Sequence, residues 1–335
     1  LKWLQWSKSD LEFGLGGVEE HARCIARELR RLGVEVYFSN DRRELQNDAW
    51  DVVHTHGGEF APPSTGAVAL HTLHGTTLGR MAACGEWFWP GGYLAEMREL
   101  AGVLRADAVV SVHPGLSLFH LAHRFGKVVA VCGNGWDAGE LGEGKTSCAE
   151  LPKDFTSRLD ASRPLWVYVG RGEDRVKGVD RLIPVLRARP AIQFAAAPGS
   201  GFEGMTGVLK TGRLDSAQVR LLLERAQGMI VPSRYEGNSL VVLEALGLGL
   251  PVISTRVGGA TAFPEGVQGF TVLRSVEPGD FLSAIEGVEA GAEDLPARQM
   301  RAEVNRKLLP RWSDVAKKVL SAAVEAQKRK PRRRR

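Results

Sequence analysis

"KWLQWSKSDLEFGLGGVEEHARCIARELRRLGVEVYFS", Lys2 to Ser39, holds two short apolar runs on either side of an amphipathic stretch. Val18, Ala22, Ile25 and Leu29 recur at helical spacing on one face, and Gly33 stops the helix. The stretch reads as strand, loop, helix, strand, the unit from which parallel α/β sheets are wound. The same rhythm continues with "DVVHTH", "AVALHTL", "AVVSV" and "VVAVC" as strands. It fades between Asn134 and Arg163, where "GEGKTSCAELPKDF" mixes Gly, Pro and charge, and resumes with "PLWVYVG", "IQFAAA", "GMIVPS" and "LPVIST". Helices are expected over "GVDRLIPVLRA", "DSAQVRLLLERA" and "SLVVLEALGLG". Ser313 is read as the cap of a last helix, about 313–327, whose stripe of Val315, Val319 and Leu320 needs a surface to dock on. The expected architecture is two doubly wound, Rossmann-like domains, 1–150 and 151–312, facing each other across a cleft. The last helix is expected back on the first domain, followed by a basic tail, 328–335.

At 335 residues with 44% hydrophobic content the chain is large enough for two cores. Its net charge of +5 is concentrated in Lys328, Arg329, Lys330, Arg332, Arg333, Arg334 and Arg335. Subtracting these seven leaves −2 for the rest, so the body is not basic and no nucleic-acid partner is expected. The tail reads either as a solvated end or as a contact with an anionic membrane surface. Cys24, Cys84, Cys132 and Cys148 show no metal-ligand spacing and read as free thiols. No apolar run approaches the roughly 20 residues of a membrane span, and the opening "LKWLQWS" is not a cationic, apolar leader. A cytoplasmic protein, at most peripheral at the inner membrane face, is the expectation.

Open α/β sheets bind ligands in the loops at the carboxyl ends of their strands. "GLGG", Gly14 to Gly17, precedes the first helix and makes Gly16 and Gly17 candidates for holding an anion at a helix start. A packing turn is the plain alternative, and Glu19 replaces the third glycine of the dehydrogenase fingerprint. In "VGRGEDRVKGVDRLI", Arg171 and Lys177 suit a diphosphate, or else pair with Glu173 and Asp174. "SRYEGNSLVVLEALGLGLPVISTRVGG", Ser233 to Gly259, places Glu236 before a helix expected to begin near Asn238 and Glu244 within it. Two turns separate the acids, roughly 10 Å of rise. That separation lets them hold the hydroxyls of a sugar and a ribose, with a phosphate between them at Gly237, Asn238, Ser239 and Leu240.

"GGVE", "NGWD" at Asn134 to Asp137, "VGRGEDRVKGVDRLI" and "PSRYEGNSLVVLEALGLGLPVISTRVGG" together resemble the successive motifs of the retaining GT-B glycosyltransferases of family 4, in order and over nearly the whole chain. The resemblance implies transfer of a sugar, commonly a hexose, from a UDP- or GDP-linked donor to a glycan, lipid or small-molecule acceptor, as in cell-envelope glycan synthesis. It implies retained configuration, no cofactor and no metal. By the same resemblance Arg171 and Lys177 hold the diphosphate, Glu236 and His74 meet the donor sugar, and Glu244 meets the ribose. The usual Glu-Gly-Phe-Gly is here Glu-Gly-Asn-Ser, so the resemblance does not name the donor. Acceptors meet the N-terminal domain in such enzymes, which directs attention to "GEWFWPGGY" around Trp87 to Trp89, where core packing is the alternative. The rival readings are an epimerase or hydrolase of nucleotide-sugars, a non-catalytic nucleotide-sugar or polyanion-binding protein, and, least supported, a dinucleotide-dependent oxidoreductase.

Overall fold

The computed structural model describes residues 1–14, 16–57, 66–137, 150–261, 263–291 and 295–330. The chain divides into two compact units, Leu1–Gly135 with Pro310–Arg335, and Trp136–Leu309. The first break precedes the expected position near 150 because Trp136, Leu151 and Phe155 are buried in the core of the second unit. Residues 138–149 of the expected linker, Cys148 among them, lie outside the described residues.

The first unit is built on six parallel strands, β1 Lys2–Trp6, β2 Glu35–Ser39, β3 Val52–His56, β4 Val68–Leu73, β5 Ala108–Ser111 and β6 Val128–Val131, in the order β2-β1-β3-β4-β5-β6. All of β3 and β4 is buried, as expected of central strands covered on both faces. The helix Gly17–Arg31 buries Ala22, Ile25 and Leu29, leaves Val18 half-buried at its start, and ends before Gly33 in the left-handed conformation (φ +82°). The last helix runs Trp312–Arg329 with Arg311, not Ser313, at its N-cap; Ser313 is already helical. It packs on the first helix and on β4, β5 and β6. Its buried face is Trp312, Val315, Ala316, Val319, Ala322, Ala323 and Ala326, while Leu320 is half-buried at the margin. Alanines between the larger side chains let the helix lie close to the sheet. The charge run starts inside this helix, and Lys330 is half-buried and paired: its Nζ meets Asp107 at 2.8 Å and donates to the Ala67 carbonyl. Residues 331–335 of the expected tail lie outside the described residues.

The second unit carries β7 Leu165–Val169, β8 Gln193–Ala197, β9 Val208–Lys210, β10 Gly228–Val231, β11 Val252–Ser254 and β12 Phe270–Val272, all parallel, in the order β12-β11-β10-β7-β8-β9. Alternate residues feed two cores. Leu165, Val167, Met229 and Val231 point to one, with Leu243 and Leu246, and Trp166, Tyr168, Ile230 and Ile253 point to the other, with Leu182 and Phe202. Fully burying each such large side chain contributes about 1.5–3 kcal/mol. The edge strands β9 and β12 were not anticipated from the sequence; at three residues each, they are too short to show alternation.

Candidate active site

The strand order of the second unit reverses between β7 and β10, so the loops after these two strands open side by side at the switch point, where open α/β sheets hold ligands. Those loops are Gly170–Gly178 and Pro232–Ser239, the two that carry the candidate donor-binding residues. Their backbones are locked together. Arg234 N–H donates to the Val176 carbonyl at 2.7 Å, and the Arg234 guanidinium grips both oxygens of Asp180 at 2.6 and 2.5 Å, which holds that carboxyl below its ordinary range. Arg181 Nη1 donates to the carbonyls of Pro232 and Ser233, both at 3.0 Å. Gly178 must be glycine here: its φ is +68°, and a Cβ would lie 2.1 Å from the Pro232 oxygen.

Within this frame Lys177 Nζ donates to Glu236 Oε1 at 2.7 Å, and Ser233 Oγ donates to the same oxygen at 2.7 Å. The side chains of Lys177 and Glu236 keep only 25% and 14% of their exposure, so the pair is partly withdrawn from water yet open on one side. The sequence assigned the lysine to a diphosphate and the acid to a sugar; the fold sets them against each other. Arg171, at the start of the same loop, is exposed, and its charge helps to hold Glu173 below its ordinary range, after the hydrogen bond from Ser200. Glu236 is fixed from behind as well. Gly258 (φ +39°) would place a Cβ 1.7 Å from the Glu236 carbonyl, and Gly259 N–H donates to the Gly237 carbonyl at 2.6 Å. The final "GG" of the quoted stretch is therefore the backing of the acid.

The helix expected near Asn238 begins at Leu240 and runs to Gly247, with Ser239 as N-cap and no side-chain cap bond. Its first free amides are thus those of Leu240 and the residues after it, with Gly237, Asn238 and Ser239 as the half-buried approach. Glu244 is half-buried one turn in. Beneath Glu236 a small cavity of about 10 Å³ is lined in part by Glu236, Ser239 and Ser254. Tyr168, in β7, is buried, and burial together with Glu236, Glu173 and Asp174 pushes its hydroxyl up, so it stays protonated. Neither Ser233 nor Arg181 was singled out from the sequence, since both act through backbone and neighbours rather than through a motif.

In the first unit Gly16 is the N-cap of the helix that Gly17 opens. A Cβ at Gly16 would lie 2.1 Å from Glu19 Oε2, so the loop's own carboxylate folds over the helix start. His74, immediately after β4, is not a solitary histidine. Its Nε2 lies 3.2 Å from His56 Nδ1, and its ring meets the edge of His21 with centroids 4.8 Å apart. His56 Nε2 donates to Gln5 Oε1 at 2.5 Å, and His21 Nδ1 donates to Asn134 Oδ1 at 2.7 Å. Burial pushes His21 down to about 4, and pushes His54, His56 and His74 well below the ordinary imidazole range, so all four are neutral at pH 7. The aromatic run after the next helix is at the surface: Trp87 is 52%, Phe88 100% and Trp89 41% exposed, joined by exposed Tyr93, Leu94 and Met97. Packing in the core does not account for these rings.

Two parallel six-stranded sheets, each wound with helices, and loops of this form at the switch point give the architecture of GT-B glycosyltransferases. Residues 163–289, which include both loops of the second unit, match the family model described as Glycosyl transferases group 1. The chain is 27% identical over 299 residues to the glycogen synthase of Mycobacterium tuberculosis, which covers 79% of this chain; it spans 66% of the length of that relative. Among solved structures, the sucrose-phosphate synthase of Thermosynechococcus elongatus superposes with a TM-score of 0.71 at 17% identity, over 97% of this chain and 98% of that one. Anabaena HepE, solved in complex with UDP, superposes with a TM-score of 0.63 at 14% identity over 97% and 99%. Both structural likenesses concern the fold.

Proposed function

We propose that the protein is a retaining, metal-independent glycosyltransferase that moves a sugar, most simply a hexose, from a UDP- or GDP-linked donor to a glycan or lipid-linked acceptor. The observation that carries this reading is the Lys177–Glu236 pair at the switch point of the second sheet, held by Ser233 and backed by Gly258, directly before a helix start. Its support comes from the family match over residues 163–289, from the glycogen synthase relative, and from the UDP carried by the structural neighbour HepE.

In this reading Arg171, Lys177 and the amides at Leu240 hold the diphosphate, where preorganised donors act on the negative charge that grows as the sugar departs. Lys177 then shares its charge between phosphate and Glu236, and Glu236 faces the positive character of the anomeric carbon. Glu244 takes the ribose; in the first unit, His74, Gly16 and Gly17 are the candidate residues. The bond from the anomeric carbon to the β-phosphate oxygen breaks and the bond to the acceptor oxygen forms on the same face. The acceptor proton passes to the departing phosphate, so the configuration is retained without a covalent enzyme intermediate. The exposed Trp87, Phe88 and Trp89 offer flat apolar faces to a glycan or lipid acceptor, and the cations that end the chain add attraction to an anionic membrane surface. No described helix is long and apolar enough to cross a membrane.

The test is product analysis with a panel of nucleotide-sugars and a glycan and lipid extract. The reading requires acceptor-dependent release of nucleoside diphosphate and a glycosylated product with the donor's anomeric configuration, without added Mg²⁺ or Mn²⁺. Inverted product, or release that needs added Mg²⁺ or Mn²⁺, contradicts it.

A further inference from the structure

The histidines of the first unit hold an arrangement that a single sugar contact at His74 does not explain. His21 from the helix Gly17–Arg31, His56 from the end of β3 and His74 from the residue after β4 bring one ring nitrogen each to within 4.8 Å of one another. Two of the three rings are fixed from behind by side-chain amide oxygens, Asn134 Oδ1 on His21 Nδ1 and Gln5 Oε1 on His56 Nε2. An amide oxygen only accepts, so those ring nitrogens carry the protons and the opposite nitrogens present lone pairs. His21 Nε2 is buried with no hydrogen-bond partner among the described residues. A buried acceptor left unpaired carries a desolvation penalty that a bound ligand would relieve. His56 Nδ1 faces His74 Nε2 at 3.2 Å, close to the edge of about 3.3 Å that a tetrahedron with zinc–nitrogen bonds of 2.0–2.1 Å would have.

We propose that His21, His56 and His74 form a binding site for a divalent transition-metal ion of the zinc class. Three neutral imidazoles suit Zn²⁺, Co²⁺ or Ni²⁺ and not Mg²⁺ or Ca²⁺, which take oxygen ligands. Amide oxygens behind the ligating rings are the outer partners that orient metal-bound imidazoles elsewhere. Closing the widest pair to the tetrahedral edge needs about 1.5 Å of ring movement. Three protein nitrogens leave the fourth position of a tetrahedral ion to an exchangeable ligand. Such an ion would tie the first helix to the ends of β3 and β4. It lies in the first unit, while the phosphate-directed cations Arg171 and Lys177 lie in the second.

The experiment uses the full chain, freed of metal with chelator and dialysed, then titrated with Zn²⁺ by calorimetry and with Co²⁺ by visible absorption. One ion per chain should bind, Co²⁺ should show the intense visible bands of a low-coordinate nitrogen site, and Mg²⁺ should give no response. Zn²⁺ should raise the thermal midpoint of the wild type but not of His21→Gln. Asn134→Ala and Gln5→Ala, which keep all three ligands, should weaken binding by about 10–100-fold. No uptake, or uptake by His21→Gln and His56→Gln with wild-type affinity, overturns the site, the second result assigning the ion to surface groups. Circular dichroism of each metal-free variant controls for folding. Should His21→Gln fail to fold, His56→Gln and Asn134→Ala carry the same comparison.

Discussion

Glu236 and Lys177 neutralise each other across 2.7 Å, so removing either leaves a partly buried charge behind as well as removing a ligand contact. Lys177→Ala should weaken binding of a nucleoside diphosphate by about 1.5–3 kcal/mol, the range for a hydrogen bond to a charged group, as read by calorimetry. An unchanged affinity would confine Lys177 to holding Glu236. Glu236→Gln keeps the Ser233 bond and the shape, and steady-state kinetics should show turnover falling much more than donor affinity. Glu244→Gln should act mainly on the donor Michaelis constant, and equal effects of the two substitutions would count against their separate roles. The placement of Arg171, Lys177 and Glu236 in loops after strands, and of Glu244 inside the helix that follows, was legible in the sequence from the alternation of apolar runs and helical stretches. That Lys177 and Glu236 bond to each other over 59 positions was not, because hydrogen-bond partners depend on strand order. The histidine group was hidden for the same reason: His21, His56 and His74 come from three elements that only the sheet order β1-β3-β4 and the helix above it bring together.

At the scale of elements, β3 and β4 carry histidines in a buried sheet, and this makes the first unit acid-sensitive. His21 is near its ordinary value of 6.5 in the unfolded chain and at about 4 in the fold, so the unfolded state binds more protons between these values. The contribution of these rings is therefore complete above about pH 6.5 and is lost as pH falls towards 4. Chemical denaturation should show stability dropping across that window, with a shallower drop in His21→Gln; a flat profile would contradict the burial argument. The helix following Trp89 was expected from no motif, and the exposure of the preceding rings was open on the sequence, because an aromatic run reads the same in a core and on a surface. Since Trp87 and Phe88 are exposed, Trp87→Ala with Phe88→Ala should leave the thermal midpoint within about 1 °C while raising the Michaelis constant for a lipid or glycan acceptor. A large loss of stability with unchanged acceptor kinetics would return them to packing.

For the whole molecule, the doubly wound character of both units was written in the alternation of apolar runs and amphipathic stretches, down to the strand that each loop follows. Strand order and edges were not. β9 and β12 are too short to signal themselves, and the boundary at Gly135 is set by where Trp136 is buried. The return of the last helix to the first unit makes the buried face of Trp312–Arg329 part of that unit's core. Truncation before Trp312 should expose the faces of the first helix and of β4 to β6 and destabilise the first unit, whereas removal of residues 331–335 should leave melting unchanged and weaken binding to anionic vesicles at low salt. The central claim, that the loops after β7 and β10 hold a nucleotide-sugar whose sugar passes to an acceptor as the nucleoside diphosphate departs, is tested most directly by measuring nucleoside diphosphate release with and without acceptor in wild type and Glu236→Gln. The account predicts acceptor-dependent release by the wild type and its loss in Glu236→Gln, with the nucleoside diphosphate still bound by the variant. Release at the same rate without acceptor, or unchanged by Glu236→Gln, would contradict it.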